Sequence, residues 1–169
     1  FAMLFHWLLA GGRTAFLQDA NSVIMKTQDL VAALKYLRGT FTSIKRVTSY
    51  ARSRSLAQKK PEELTAIQEA GLDRLHIGLE TGDDDLLKRV NKGVDSEGLI
   101  RGGKKALDAG FQVSEYWMPG LGGRGFWEAH ARSTARVLNA INPHYIRSRP
   151  FRPLAGTPMA EDCRNGDME

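Results

Sequence analysis

Cysteine is nearly missing from this sequence: Cys163 is the only one in 169 residues. A lone thiol excludes an intrachain disulfide and any multi-thiolate zinc or iron–sulfur site built from these residues alone, and it fits a reducing, cytoplasmic setting. Long apolar runs are missing too. The greasiest stretch, Phe1 to Ala10, is about half of the roughly 20 residues that a bilayer span needs and has no basic leader, so it is neither a spanning helix nor a convincing secretion signal. There is no biased tract: 42 % apolar and 25 % charged residues, with 17 Gly and 6 Pro, exclude disordered, collagen-like and coiled-coil classes. Acids are outnumbered, 19 against 24 Lys and Arg, for a net charge of +5 and a pI near 9.5. The bases are scattered with no run of five or six, so the surplus reads as a solvated surface and leaves a nucleic-acid partner unsupported. The length suits one domain, 1–169, or a large piece of one. A first residue of Phe rather than Met favours a segment of something longer.

What the sequence does contain is an alternation. Five β-type runs, Thr14 to Gln18, Lys45 to Arg52, Arg74 to Glu80, Gln112 to Met118 and His144 to Phe151, are separated by helical patterns. Thr27 precedes Leu30, Val31, Leu34 and Leu37 at helical spacing, and Thr40 to Ser43 closes that element. Pro61 at a first-turn position, Glu62 and Glu63 at the positive end and Gly71 past the last turn delimit the next helix. Asp83 to Asp85 open a third, and Ser96 opens a fourth that ends at Gly110. The last runs from about Trp127 to Ile141, where Asn142-Pro143 stops it. Phe1 to Ala10 with Gly11-Gly12 reads as the tail of one more.

Strand, crossover and strand in repetition specify parallel strands covered by helices. Because side chains alternate along a strand, Leu75, Ile77 and Leu79 face one way while His76, Gly78 and Glu80 face the other. Val47, Ser49 and Ala51 likewise oppose Arg46, Thr48, Tyr50 and Arg52, and Ile146 and Ser148 oppose Tyr145, Arg147 and Arg149. One face is apolar and the other ionisable. A doubly wound sheet would need nearly continuous apolar strands, and a closed eight-stranded barrel a filled interior. The pattern predicts instead a partial, splayed (β/α) barrel with helices outside and a wet lumen.

Ligand chemistry in such barrels collects at the C-terminal ends of the strands. Those ends read Gln18-Asp19-Ala20-Asn21, Tyr50-Ala51-Arg52, Glu80-Thr81-Gly82, Met118-Pro119-Gly120 and Arg149-Pro150. Each has a plain alternative reading as a turn, a helix cap or a surface ion pair. Gly120 to Gly125 matches G-x-G-x-x-G after a strand and before a helix, a place where backbone N–H groups can cradle a phosphate or adenosine. As a dinucleotide fingerprint it is weak, because Pro119 interrupts the turn and Arg147 and Arg149 stand where a ribose-binding acid is expected. His76 and Glu80, four residues apart on a strand, would lie about 13 Å from each other and cannot share an ion. Lys45, at the wrong end of its strand, does not serve as a Schiff-base lysine. Cys163 reads as incidental.

Taken together, the strings Phe16 to Asn21, His76 to Gly82, Val90 to Gly93, Met118 to Gly123 and Pro153 to Pro158 resemble the radical S-adenosylmethionine (SAM) enzymes. The likeness is greatest to the coproporphyrinogen oxidase-like and Elongator-subunit-like branch. That resemblance implies a six-stranded partial (β/α) barrel of parallel strands, about five of which this sequence would supply, the first βα unit lying upstream. It implies that Gln18, Asp19 and Ala20 lie where the methionine amino group binds and that Glu80 contacts ribose or methionine. Lys92 would meet the methionine carboxylate, a charge-assisted bond. Tyr50 would lie near the methionine moiety, Met118 and Gly120 would line adenine, and Arg149 would complete the cofactor site. The family's Cys-x-x-x-Cys-x-x-Cys, whose thiolates hold a [4Fe-4S] cluster, is not in this sequence. The expectation is therefore a portion of an oxidoreductase that cleaves SAM to a 5'-deoxyadenosyl radical, inactive by itself, with no metal ligand of its own. A non-catalytic barrel module that binds an anion or a partner chain remains the alternative. Either way, the edge of Thr14 to Gln18 invites self-association unless Phe1 to Ala10 covers it.

Overall fold

Five strands pair strictly in chain order into one parallel sheet: β1 (Thr14–Leu17), β2 (Arg46–Ala51), β3 (Arg74–Glu80), β4 (Gln112–Trp117) and β5 (Tyr145–Ser148). The structure, a computed structural model, describes residues 2–164. Helix α1 (Ala2–Leu9) precedes β1; parallel neighbours require crossovers, which α2 (Thr27–Thr40), α3 (Ser53–Gln58), α4 (Pro61–Glu69), α5 (Asp84–Arg89), α6 (Ser96–Asp108) and α7 (Gly123–Ile141) supply, and α8 (Pro158–Arg164) follows β5. The helix starts are chemically marked. Pro61 opens α4 while Glu63 Oε2 accepts from the Lys60 amide, Asp83 caps α5 through the amides of Asp85 and Leu86, and Asp95 caps α6 through that of Gly98.

The alternation read from the strands holds in β2 and β3. Val47, Leu75, Ile77, Leu79 and Val113 are fully buried on the helix side. They divide between a cluster with Leu34, Leu64 and Ile67 and a second one with Leu99, Val137 and Ile141. Helix α6 lies very close to α3: a Cβ at Gly102 would stand 2.9 Å from Ser53 Cα. β1 and β5 each have one neighbour, so the sheet is splayed rather than closed. At the β1 edge, Trp7 Nε1 donates to the Thr14 carbonyl at 2.7 Å, so α1 meets that edge at one point. Among the described residues no helix is long and apolar enough to cross a membrane.

Several expectations need correction. β1 ends at Leu17, β2 starts at Arg46 and β5 is confined to Tyr145–Ser148. α7 begins at Gly123, because Gly120 (φ 86°) and Gly123 (φ 53°) turn the chain early enough for Gly122 to start a helix. α3 was not foreseen: six residues with one buried leucine, Leu56, carry too little periodicity. Cys163 lies half-buried in α8. The helix-side face of β5 is uncovered, with Ile146 56 % exposed. Phe1 lies outside the described residues.

Candidate functional site

The C-terminal end of β3 departs from regular strand geometry. Glu80 has φ 64°, the ladder to β4 skips a residue between Gly78 and Glu80, and the Thr81 amide closes a tight turn on the Leu79 carbonyl at 2.8 Å. A glutamate in left-handed backbone costs about 1–2 kcal/mol, and such strain persists where the surrounding structure enforces it. The consequence is directional. Glu80 turns its carboxylate back over Gly78, where a Cβ would collide with Glu80 Oε1 and stand 3.2 Å from Lys92 Nζ. Gly78 is thus the cradle for this side chain.

Lys92 arrives by a separate device. Asn91, left-handed at φ 51°, ends α5: its amide bonds the Lys88 carbonyl at 3.0 Å and the Lys92 amide bonds that of Leu87 at 2.9 Å, a Schellman turn. The turn sends Lys92 Nζ to Glu80 Oε1 at 3.0 Å, with both side chains mostly buried. This pair stands at the junction of two cavities. The larger, about 600 Å³, is bordered by Arg52, Arg54, Asn91, Met118, Leu121 and Phe151. The smaller, about 310 Å³, is bordered by Ala20, Tyr50, His76, Gly78, Tyr116 and Arg149. Arg52, Glu80, Lys92 and Met118 line both. Cavities of a few hundred cubic ångströms are the size that small-molecule ligands occupy.

A buried histidine ties the two strand-end loops together. His130 Nε2 lies 3.1 Å from the Met118 carbonyl and Nδ1 2.8 Å from Thr81 Oγ1. A carbonyl only accepts, so Nε2 carries the hydrogen and Nδ1 accepts from the Thr81 hydroxyl, which in turn accepts from the Asp83 amide. Burial lowers the pKa of His130, keeping it neutral in this role. Burial lowers that of His76 as well, and Arg147, Arg74 and Arg46 add to the effect. Glu115 behaves oppositely. It shares the helix side of the sheet with its register partner Ile77, both carboxyl oxygens lack hydrogen bonds, and burial pushes its pKa up to about 8 despite Lys92.

The sequence matches the Radical SAM superfamily model over residues 9–135. The chain belongs to the radical SAM superfamily. The fold agrees. An archaeal Elp3 from Methanocaldococcus infernus with an N-terminal deletion superposes with a TM-score of 0.75 at 14% identity, covering 99% of this chain and 44% of that one. Coproporphyrinogen III oxidase (HemN) from Escherichia coli, a radical SAM enzyme, gives 0.68 at 16% identity over 90% of this chain and 35% of its own. Methylornithine synthase (PylB) gives 0.61 at 18% identity over 78% and 36%. The radical SAM chain described here therefore spans less than half the length of these neighbours. No curated protein matches it.

Of the residues expected at the cofactor site, the structure brings Ala20, Tyr50, Glu80, Lys92, Met118 and Arg149 to the two cavities. Gln18 and Asp19 are exposed and line neither; Asp19 accepts from the Ala20 amide, holding the loop after β1. Gly120 lines neither as well and serves the turn into α7. Sequence reasoning missed Arg54 and Asn91. The available signal was Arg52-Ser53-Arg54, two cations directly after a strand's C-terminal end.

Proposed function

We propose that this chain is the SAM-binding portion of a radical SAM enzyme. The observation that carries the reading is the Glu80–Lys92 pair, held by a left-handed glutamate over a glycine at the junction of two cavities. Opposite charges 3.0 Å apart are the complement of an amino-acid zwitterion. Lys92 offers an ammonium to the methionine carboxylate, and Glu80 offers a carboxylate to the amino group or a ribose hydroxyl. Ala20 lines the smaller cavity where the methionine moiety would lie, while Met118, Leu121 and Phe151 offer the larger one an apolar wall for adenosine. His130 keeps the Thr81 and Met118 loops in register. Bound SAM, given one electron from a cluster outside these residues, would split at its C5'–S bond into methionine and a 5'-deoxyadenosyl radical able to abstract hydrogen; the protein's part is to position it and exclude water.

The residues present do not fit a [4Fe-4S] cluster. Cys163 is the one thiol in the sequence, and among the described residues no three His, Cys, Asp or Glu stand together as metal ligands. In this reading the cluster's thiolates, and the electron they deliver, come from outside these residues, and the chain alone does not turn over. Calorimetric titration with SAM tests the assignment. Lys92→Ala and Glu80→Ala should each weaken binding by about tenfold or more, the worth of a charge-assisted bond. Binding that neither substitution alters would overturn it.

A further inference from the structure

The floor and one wall of the lumen are chemically specialised in a way the cofactor does not explain. Around His76 stand Phe16, Tyr50 and Tyr116, with ring centroids 6.1, 6.1 and 6.0 Å away, and Phe16 meets Tyr50 edge-on at 4.9 Å. β-register puts Tyr50 beside His76, and Gly78 beside Tyr116, on one side of the sheet. Past Tyr116, β5 sends Arg147 to the same side and Arg149 follows just beyond the strand, and each guanidinium lies 5.9 Å from the Tyr116 ring centre.

These two arginines differ from Arg74 below them. Arg74 is spoken for: it donates to Gln112 Oε1 at 3.0 and 2.7 Å and to the Tyr145 hydroxyl at 3.0 Å, and it stacks on the Tyr145 ring. Among the described residues, neither Arg147 nor Arg149 makes an ion pair. The one carboxylate lining the smaller cavity is Glu80, which Lys92 occupies. His76 Nδ1 is buried with no partner. An aromatic floor and two forked cations beside Tyr116, of which Arg149 lines the smaller cavity, define what would fill the space.

We infer that the lumen receives a planar, conjugated acid, its flat part on the rings of Tyr50, His76 and Tyr116 and its carboxylate or phosphate between the guanidinium groups of Arg147 and Arg149. Guanidinium forks match both anions with paired hydrogen bonds. The flat group gains from stacking and from removing aromatic surface from water. The inference rests on the cofactor reading, because it assigns to substrate the part of the lumen next to the one assigned to SAM.

The test is NMR titration of the His76 ring signals in this chain with phenyl phosphate and with benzoate. Inorganic phosphate serves as the ring-free control and benzyl alcohol as the charge-free control. At least one aromatic acid should bind and shift His76, each control should bind about tenfold more weakly or worse, and Arg147→Gln should weaken the acid by about tenfold. SAM affinity, measured in parallel, should be unchanged in Arg147→Gln; Arg149→Gln gives a second reading of the acid site. Which acid binds better separates a carboxylate from a phosphate substrate. Inorganic phosphate binding as tightly as phenyl phosphate, no response to either acid, or equal loss of SAM and acid in Arg147→Gln would each overturn the inference. SAM failing to bind while the acid binds would remove the cofactor reading and leave the acid site.

Discussion

Glu115 offers a calculation that can be checked. In the unfolded chain its carboxyl titrates near 4.5; in the fold, 1 % exposed and without a hydrogen bond, it titrates at about 8. A pKa raised by folding means that the stability it permits is whole below 4.5 and is lost as pH rises to about 8. At about 1.36 kcal/mol per pH unit, the loss reaches roughly 3 kcal/mol by pH 7 and is on the order of 5 kcal/mol at its limit. That is a large share of the roughly 5–15 kcal/mol that holds a domain together. Glu115→Gln keeps the shape and removes the charge. It leaves an unpaired amide that costs about 1–3 kcal/mol at every pH, so the signature is the slope and not the offset. Urea unfolding of both proteins at pH 5, 6, 7 and 8 should show the variant gaining on the wild type by about 1 kcal/mol or more per pH unit. Parallel curves would refute the claim that Glu115 is buried as a neutral acid.

Other perturbations follow from the same geometry. Gly78→Ala should displace Glu80 and weaken SAM binding about as much as Glu80→Ala, by titration, with the unfolding midpoint little moved. His130 should have the opposite pH signature to Glu115: its lowered pKa leaves its contribution whole above about 6.5 and lost below, so His130→Gln should flatten the acid limb of the stability curve. Gly102→Ala should cost about 1–3 kcal/mol in urea unfolding, because α3 backbone occupies the space of the new methyl. Asp162→Ala, which removes both hydrogen bonds from Arg89 at 3.0 and 2.8 Å, should speed amide exchange in α8 while exchange in β3 stays unchanged.

The architecture was legible where side-chain period and helix punctuation agree. Leu75, Ile77 and Leu79 against His76 and Gly78 fixed which face of β3 is core, and Pro61, Asp83 and Ser96 marked helix starts correctly within a residue. What stayed hidden depends on backbone conformation or on distant neighbours. The left-handed turn at Glu80 has no sequence mark, since glutamate is not a residue that favours positive φ; it nevertheless decides that Glu80 meets Lys92. Gln18 and Asp19 fit a motif position yet point to solvent, because β1 ends one residue early. Glu115 sits at an apolar register position, where alternation calls for a residue like Val113. Ile146 obeys the alternation but stays 56 % exposed on the edge strand β5.

The central claim is that Glu80 and Lys92 hold the methionine end of SAM between the two cavities. A crystal structure of the chain with bound SAM tests it most directly. The account predicts the methionine carboxylate within hydrogen-bond reach of Lys92 Nζ, and adenine against Met118 and Leu121. Density for the ligand anywhere else, with the 3.0 Å Glu80–Lys92 pair untouched, would contradict it.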